Sequence, residues 1–401
     1  MKKLASLALI LLAVSSFAQP RLDHVVRGEV KDARTGKPVT AVNVTVPGRN
    51  YATVTNDDGV FVLKSDSPIR ELVFTHLGYR AVRQSVADDE IEIRLAPEIY
   101  QLAEASIVTG DPRKIVKDAI WKIPENYAHS PELLNVFYRE TLQKRQRYTY
   151  VSEAVARIYK TAYGKGSVYQ DRAALDKSRV IVSPKKRDTL SVKMTGGPTM
   201  AINADVVKND QIIFNTTDLE YYRFEMGDPV YIGDRLQFVI YVSPASVADY
   251  ALYYGTLYID RETLMFSRIE LSLDMADAAK ATKMMLISKP LTLRFTPKEL
   301  SYTMTYRPAS DGARLEYFRS SMRFNCDWKK RLLKTHYTVV NELVTTDLTV
   351  PATPIPRSEM FHSGDILSDK AAEFLDDDFW KDYNIIEPSE SLENAIDKLK
   401  K

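Results

Sequence analysis

The sequence predicts a mainly β protein, with a small N-terminal β-sandwich followed by a large, curved antiparallel sheet and a few helices. Three observations predict this fold class. Short apolar alternations cut by turn residues fill residues 25–95, and longer alternations with a period of two run from Val136 to Leu343. The chain also contains 23 Tyr against 14 Phe and 3 Trp, which suits strands with one solvent-exposed face and one buried face.

Residues 1–18 predict an export signal peptide. Lys2 and Lys3 precede an apolar core at Leu4–Val14, and small residues follow at Ser16-Phe17-Ala18. The core is too short to cross a hydrocarbon layer of about 30 Å, and no later stretch of the sequence has the roughly 20 apolar residues that a transmembrane helix requires. We therefore expect an exported protein without a transmembrane helix.

The charge balance argues against nucleic acid as a partner. Hydrophobic residues make up 45% of the chain and charged residues 27%, which suits a folded protein. Of the 55 basic residues, Lys2 and Lys3 lie in the signal, and the rest balance the 53 acidic residues. A neutral mature protein exerts no long-range attraction on phosphate backbones, so we interpret Lys185-Lys186-Arg187 as a solvated loop.

Residues 22–97 predict the sandwich, with about seven strands. The strands are separated by turn signals at Thr35-Gly36, Pro47-Gly48, Asp57-Asp58-Gly59 and Leu77-Gly78. Carboxylates such as those of the Asn56–Gly59 turn are a type of group that binds calcium. A tight chain reversal explains the composition of this turn fully.

A linker at residues 98–110 leads into a domain predicted at residues 111–350, which opens with a helix. Asp111 can cap this helix and Pro112 fits its first turn. One face carries an apolar stripe before Pro124 ends the helix, consisting of Ile115, Val116, Ala119, Ile120 and Ile123. The stripe predicts a packing face.

The rest of this domain predicts long strands joined by hairpins. The strand candidates are Val136–Lys144, Tyr148–Tyr159, Tyr222–Glu225, Leu236–Val242, Leu252–Asp260, Met265–Leu273, Lys298–Arg307, Leu315–Asn325 and His336–Leu343. Two hairpins are clear, through Arg261-Glu262 and through Ser310-Asp311-Gly312. Sequential hairpins predict an antiparallel meander.

Residues 351–401 predict a connector, a tail and a last helix. Prolines at 351, 354 and 356 indicate an extended connector. The aromatic and acidic tail at residues 374–386 is expected to dock back onto the body, with the acids at 376–378 forming a solvated run rather than a cation site. The last helix carries one apolar face, consisting of Leu392, Ala395, Ile396 and Leu399.

Residues 25–95 resemble the carboxypeptidase regulatory-like domain. The resemblance is carried by Gly28, Gly36, Pro38, the Thr55–Phe61 turn and His76-Leu77-Gly78-Tyr79. It implies a seven-stranded immunoglobulin- or prealbumin-like sandwich at the start of an exported protein of the Gram-negative envelope. It implies no activity.

Residues 111–400 resemble the uncharacterised β-rich region that follows this sandwich in other exported proteins. The segments that carry this resemblance are Ile123–Tyr127, Phe137–Glu140 and Phe379–Ile386. The hairpin at Gly255–Glu270 is also similar to those in the half-barrel of periplasmic lipoprotein carriers, which hold acyl chains; this is analogy at the level of the fold.

The histidines do not support a metallocarboxypeptidase. His129 and Glu132 match the spacing of a His-x-x-Glu zinc pair. A third ligand would have to be His336 or His362, far along the chain, and His24 and His76 fall in or beside sandwich strands. We interpret the match as coincidence and expect no metal and no cofactor.

Nucleophile motifs are equally weak. The sequence has no Gly-x-Ser-x-Gly and no Gly-rich phosphate loop, and Gly196-Gly197-Pro198 indicates a turn. Glu140 has the chemistry of an acid or base but is expected to face water from a strand. Cys326, the single cysteine, is expected to be a buried core residue. We expect no catalytic residues and a protein that is not an enzyme.

Two hypotheses of function follow. The first is a non-catalytic envelope protein, in the periplasm or associated with the outer membrane or cell surface, which acts through contacts with a partner protein. The alternative is a carrier of lipid or another hydrophobic ligand. A cavity on the inner face of the sheet would favour the carrier, and a face filled by the helix at 111–123 and the C-terminal helix would favour the first hypothesis.

Overall fold

A computed structural model describes residues 22–98, 110–164, 168–188, 190, 192, 196–215, 217–328, 334–362, 364–373 and 377–400. The predicted signal peptide at 1–18 and residues 99–109 of the predicted linker lie outside the described residues, as do the side chains of the acidic run at 376–378. None of the described helices is long and apolar enough to cross a membrane.

The N-terminal domain is a sandwich of seven strands, as predicted. The strands are β1 His24–Asp32, β2 Asn43–Thr45, β3 Ala52–Val54, β4 Val60–Ser65, β5 Glu71–Thr75, β6 Val82–Ser85 and β7 Glu90–Leu95. They form two sheets, ordered β4-β1-β7 and β3-β2-β5-β6. Apolar residues of both sheets, including Val30, Phe61 and Phe74, make one core between them.

The second sheet is large and antiparallel, which confirms the predicted fold class. Its strands are β8 Glu132–Lys144, β9 Arg147–Lys160, β10 Arg172–Val182, β11 Tyr222–Ile232, β12 Arg235–Pro244, β13 Tyr253–Asp260, β14 Phe266–Leu273, β15 Leu293–Arg307, β16 Arg314–Trp328 and β17 Thr335–Thr349. Their order is β11-β12-β13-β14-β15-β16-β17-β8-β9-β10, and β18 Ala372–Glu373 adds in parallel beside β10.

Five helices accompany the sheets among the described residues: α1 Pro112–Trp121, α2 Ile123–Asn126, α3 Pro198–Ala204, α4 Ala278–Met285 and α5 Glu390–Lys400. The predicted cap of α1 is present, since the Asp111 carboxylate accepts from the Arg113 N–H at 3.0 Å. Pro124 does not end the helical region as predicted. It lies in the first turn of α2, where proline needs no N–H donor.

The strand prediction missed β10 and shortened several other strands. β10 contains a bulge between Leu175 and Lys177, which interrupts its alternation. Its charged residues are paired across the sheet, with Asp176 accepting from Arg157 at 2.7 Å and Arg179 donating to Glu153 at 2.8 Å. Pairing with β9 therefore stabilises β10, although the sequence of β10 lacks a regular alternation.

The two faces of the large sheet carry different layers. We call the face that bears the largest core the inner face, with Tyr138 and Phe318 as examples, and the opposite face the outer face, with Phe137 and Tyr317 as examples. The sandwich docks on the outer face, where Val54 of β3 joins the cluster of Phe137 and Tyr317. Helix α5 also packs there, with Leu392 and Ile396 against β9 and β10.

The tail docks onto the body, as its aromatic residues predicted, and residues 379–389 also hold the sandwich and the sheet together. Trp380 donates from Nε1 to Glu153 of the sheet at 3.0 Å. Asn384 accepts from the Lys64 N–H at 2.7 Å and donates to the Lys64 carbonyl at 2.9 Å, which adds it to the edge of the sandwich. Arg139 donates to the Ile386 carbonyl at 2.6 Å.

Candidate functional site

The inner face of the large sheet is covered by the protein itself. The covering segment, residues 196–215 and 217–221, lies between β10 and β11 and places its apolar side chains in the main core. Phe214 stacks on Phe266 of β14 with ring centroids 4.6 Å apart. Helix α1 adds Val116 and Ala119 to the same core, as predicted, but α5 packs on the outer face instead.

Buried ion pairs fix the covering segment to the sheet. Lys160 of β9 donates to Asp205 Oδ2 at 2.6 Å, and Lys208 donates to Asp171 Oδ1 at 2.6 Å. Tyr306 donates to the other oxygen of Asp205 at 2.7 Å. Burial, reinforced by the Lys160 ammonium, lowers the pKa of Lys208 to about 8. These contacts satisfy charges that would be costly to leave unpaired, so we interpret the group as a structural anchor.

Glu140 is half-buried against the covering segment, whereas the sequence predicted that it faces water. Tyr138 donates to Glu140 Oε2 at 3.0 Å, and a Cβ atom at Gly196 would lie 2.6 Å from the same oxygen. Burial raises the pKa of Glu140, although the hydrogen bond from Tyr138 opposes the shift. Its residue neighbours leave little room for a substrate, so its position gives no sign of an acid–base role.

The structure does not join the candidate zinc residues. His129 is exposed and contacts the Glu125 carbonyl at 3.0 Å, whereas Glu132 pairs with Arg314 at 2.8 Å. No group of three or more His, Cys, Asp or Glu residues with metal-binding geometry occurs in the described parts of the chain. Cys326 is buried in β16 as predicted, and burial raises the pKa of its thiol to about 12.

A cleft lies between the sandwich and the outer face of the large sheet. Its volume is about 930 Å³. One wall consists of side chains of β2, β5 and β6, including Thr45 and Val73, and the other consists of side chains of β12 and β14–β16. The loop at His76–Tyr79 closes one end, where the Gly78 N–H donates to the Tyr231 carbonyl at 2.9 Å. We call this space the interdomain cleft.

The interdomain cleft has more positive than negative side chains. Three acidic residues line it, Asp234, Asp311 and Glu316. Six arginines line it: Arg49, Arg83, Arg235, Arg268, Arg307 and Arg314. Each of these arginines already lies within 4 Å of a carboxylate of the protein, for example Arg268 at 2.7 Å from Glu270 and Arg235 at 3.2 Å from Asp260. Guanidinium groups bind carboxylates in a planar, two-pronged geometry, so an anionic occupant would share arginines that already have partners.

The sheet side of the cleft contains buried polar atoms that lack a hydrogen-bond partner. Three are oxygen atoms, Gln237 Oε1, Thr305 Oγ1 and Glu316 Oε1, on β12, β15 and β16, and the fourth is the Arg314 Nε donor, which has an ion pair with Glu132 but no hydrogen bond. Arg307 Nε lies 3.8 Å from Glu316 Oε1, beyond hydrogen-bonding distance. Burial raises the pKa of Glu316, and the Arg307 charge opposes this. Because buried polar atoms are nearly always paired, we call the three residues with unpaired oxygen atoms the acceptor row and treat it as the candidate site.

His76 at the end of the cleft is uncharged at neutral pH. Burial, with a contribution from the nearby Arg268, lowers the pKa of His76 to about 4. Its Nδ1 lies 3.0 Å from the Leu77 carbonyl. The positive character of the cleft therefore comes from arginine alone.

Sequence reasoning did not identify the acceptor row. The three residues belong to different strands and form no motif, and only the three-dimensional pairing of those strands brings them to one surface. A weak signal existed in β16, where Arg314 and Glu316 interrupt an otherwise apolar stretch.

Comparison with known proteins identifies the first domain. Residues 26–107 match the family model of the CarboxypepD_reg-like domain, and the larger β-rich region follows that match. A search of curated proteins finds no match to this chain.

Three solved structures share limited similarity with the chain. A DUF1329 family protein from Desulfovibrio piger ATCC 29098 is 9% identical, with 61% of this chain and 96% of that one covered and a TM-score of 0.26. A putative membrane-associated protein of unknown function from Bacteroides fragilis NCTC 9343 is 10% identical, with coverages of 81% and 98% and a TM-score of 0.15. A LolA superfamily protein from Nitrosomonas europaea is 13% identical, with coverages of 60% and 96% and a TM-score of 0.20. Similarity at this level assigns no function to the chain.

Proposed function

We propose that this protein is a non-catalytic binding protein of the cell envelope, and that its interdomain cleft holds an acidic, extended segment of a partner protein. The observation that carries the proposal is the acceptor row, in which three buried atoms lack a hydrogen-bond donor beneath an arginine-rich lining.

A peptide supplies N–H donors for the acceptor row and carboxylates for the arginines of the cleft. Gln237 Oε1 and Glu316 Oε1 accept hydrogen bonds, and a peptide backbone offers an N–H at nearly every residue. Acidic side chains of the same peptide pair with the arginines above the row. A neutral or basic peptide would leave these guanidinium groups without new partners, so charge selects an acidic segment.

The dimensions of the acceptor row suit an extended chain. Gln237 and Glu316 lie on strands separated by four steps across the sheet. At ~4.8 Å for each step the row spans roughly 19 Å, the length of about six extended residues. The cleft volume of about 930 Å³ lies at the upper end of the range for ligand sites.

The second candidate function is a carrier of hydrophobic ligands. The apolar side chains of the inner face favour it, because that surface would suit an acyl chain. The covering segment opposes it, since Asp205 and Lys208 would have to leave their buried ion pairs before a ligand could enter. We therefore prefer the binding protein.

Site-specific photocrosslinking in cells tests the proposal. A photoreactive amino acid replaces Val73 on the cleft wall, and in a matched strain it replaces Asp88, which is exposed in the turn between β6 and β7. We expect a discrete crosslinked protein from position 73 and none from position 88. Introducing Arg307→Met should abolish the crosslink, whereas Arg94→Met, on the exposed surface of β7, should leave it intact.

Three results would reject the proposed partner segment. One is the absence of any crosslinked protein at position 73, and another is the same crosslinked proteins at both positions. A crosslink that survives Arg307→Met would also reject it, because binding would then not depend on the charge of the cleft.

A further inference from the structure

Several loops of the large sheet meet at one end of the strands. β12, β13 and β14 are antiparallel neighbours, so the loop after β12 and the segment after β14 lie at the same end. Contacts join them: the Asp274 N–H donates to the Leu252 carbonyl at 2.8 Å, and Lys280 donates to the Ala248 carbonyl at 2.6 Å. We call residues 245–252 and 283–291 together the tip.

The tip exposes large aliphatic side chains. Leu291 is 92% exposed, Val247 is 87% exposed, Ile287 is 53% exposed and Met284 is 40% exposed. The side of α4 that faces the protein is occupied by different residues, since Ala281 and Met285 are buried in the core. The exposed residues therefore do not stabilise the fold, and their exposure requires another explanation.

Positive charge accompanies these aliphatic side chains. The tip contains Lys283 and Lys289 and one acidic residue, the exposed Asp249, so its net charge is positive. Farther along the same end, the antiparallel pairs Leu293–Trp328, Tyr337–Lys144 and Lys144–Arg147 lead across the sheet to the hairpin of β8 and β9. The exposed Lys185-Lys186-Arg187 cluster lies beside that hairpin, held by the ion pair of Arg147 and Asp188 at 2.6 Å.

We propose that the tip docks onto the surface of an anionic phospholipid bilayer. Exposed aliphatic side chains between lysines are the combination that enters the boundary between headgroups and acyl chains. A bilayer is flat, so it can contact the tip and the basic Lys185–Arg187 loop at the same time. A pocket on a partner protein would suit one loop and leave the other basic side chains uncompensated.

Co-sedimentation with vesicles tests this surface. The protein is purified without detergent and mixed with vesicles of phosphatidylethanolamine and phosphatidylglycerol, or of phosphatidylcholine alone. We expect binding to the first and little to the second, with weakening as salt is raised. The double variant Ile287→Ser/Leu291→Ser should lower the partition coefficient roughly tenfold or more, because two exposed aliphatic groups no longer enter the bilayer.

A matched control separates the tip from general surface hydrophobicity. Val350 is 82% exposed and follows β17 at the opposite end of the strands. Val350→Ser should bind vesicles as the unaltered protein does. Equal loss in both variants, or no binding to anionic vesicles, would overturn the proposal. Self-association that is lost in Ile287→Ser/Leu291→Ser would also overturn it and identify a second copy of the chain as the occupant.

Depth measurement gives a second readout that does not depend on affinity. Because Cys326 is buried, a spin label on Leu291→Cys reports from the tip alone. We expect the label to gain accessibility to oxygen and lose accessibility to a water-soluble relaxant when anionic vesicles are added. An unchanged accessibility in vesicle-bound protein would place the contact elsewhere.

Discussion

Lys160 and Asp205 show how single residues fix the covering segment. Both side chains are at most 2% exposed, and Lys160 also lies 3.7 Å from the buried Asp171, so Asp205 is its nearer carboxylate partner. Two tyrosines also donate hydrogen bonds to the Asp205 carboxylate, Tyr163 at 3.0 Å and Tyr306 at 2.7 Å. A buried pair of this kind is most informative when one partner is removed.

Asp205→Asn should therefore destabilise the protein strongly. The change leaves the buried Lys160 ammonium with a neutral amide in place of its nearer carboxylate and with Asp171 at 3.7 Å, and we expect the free energy of unfolding to fall by about 3 kcal/mol. Denaturant titration followed by circular dichroism measures it. Asp118→Asn is the matched control, because its partner Lys114 is on the exposed surface of α1, and it should change stability by less than about 0.5 kcal/mol.

The depressed pKa of His76 predicts a dependence of stability on pH. The folded protein holds this histidine at a pKa of about 4, against 6.5 in the unfolded chain, so the unfolded state binds more protons between these values. Stability should fall as the pH drops from about 6.5 towards 4. His76→Gln removes this contribution, and the loss of stability between pH 7 and pH 5 should be smaller by about 2 kcal/mol.

The comparison of unfolding free energies at pH 7 and pH 5 checks the effect of His76. His129→Gln serves as control, since His129 is exposed and lies outside the cleft. An identical loss of stability in His76→Gln and in the unaltered protein would contradict the assigned burial.

Individual residues were predictable to different degrees. The burial of Cys326 followed from its chemistry, because an unpaired thiol in an exported protein is usually a core residue. The placement of Glu140 did not follow, because a segment distant in sequence covers it. The acceptor row could not be predicted for the same reason, because the burial of Gln237 and Glu316 depends on the sandwich domain.

Among the elements, the start and the packing face of α1 were predicted correctly, its end was not, and β10 was missed. The signals for α1 are local, since Asp111 and Pro112 define its start and the apolar stripe defines its face. β10 has no clean alternation, and it is stabilised by pairing with β9 around the bulge at Leu175 and Lys177. Local patterns therefore predicted the elements that carry their own signals.

The tail makes an element-scale prediction through Asn384. Its amide pairs with both backbone groups of Lys64, so Asn384→Ala leaves two partly buried backbone groups unpaired. We expect a destabilisation of about 1–3 kcal/mol and faster hydrogen exchange at Lys64. Lys381→Ala, at an exposed position of the same tail, should leave the exchange unchanged. Unchanged slow exchange of the Lys64 amide in Asn384→Ala would show that the tail does not protect this amide.

The whole molecule should carry no bound lipid when purified without detergent. The inner face is occupied by the covering segment, so native mass spectrometry is expected to give the mass of the polypeptide alone. A reproducible adduct with the mass of a phospholipid would show that the covering segment moves aside, and would favour the carrier. Asp205→Asn, which loosens that segment, is the variant in which such an adduct is most expected.

The architecture as a whole was more predictable than the site. Turn residues and alternation define the seven-stranded sandwich and the antiparallel sheet, and residues 26–107 match the expected domain family. The prediction that the tail docks also held, although the sequence did not indicate which face it would occupy. The interdomain cleft depends on how two separately encoded units lie against each other, and no pattern within either unit describes that arrangement.

The position of the tail in the chain has a consequence for biosynthesis. Residues 379–389 follow every strand of both domains, yet they join those domains through Trp380 and Asn384. Synthesis proceeds from the N-terminus, so the sandwich and the large sheet are made before the segment that ties them together. Until the tail is made, neither Trp380 nor Asn384 can hold the sandwich against the large sheet.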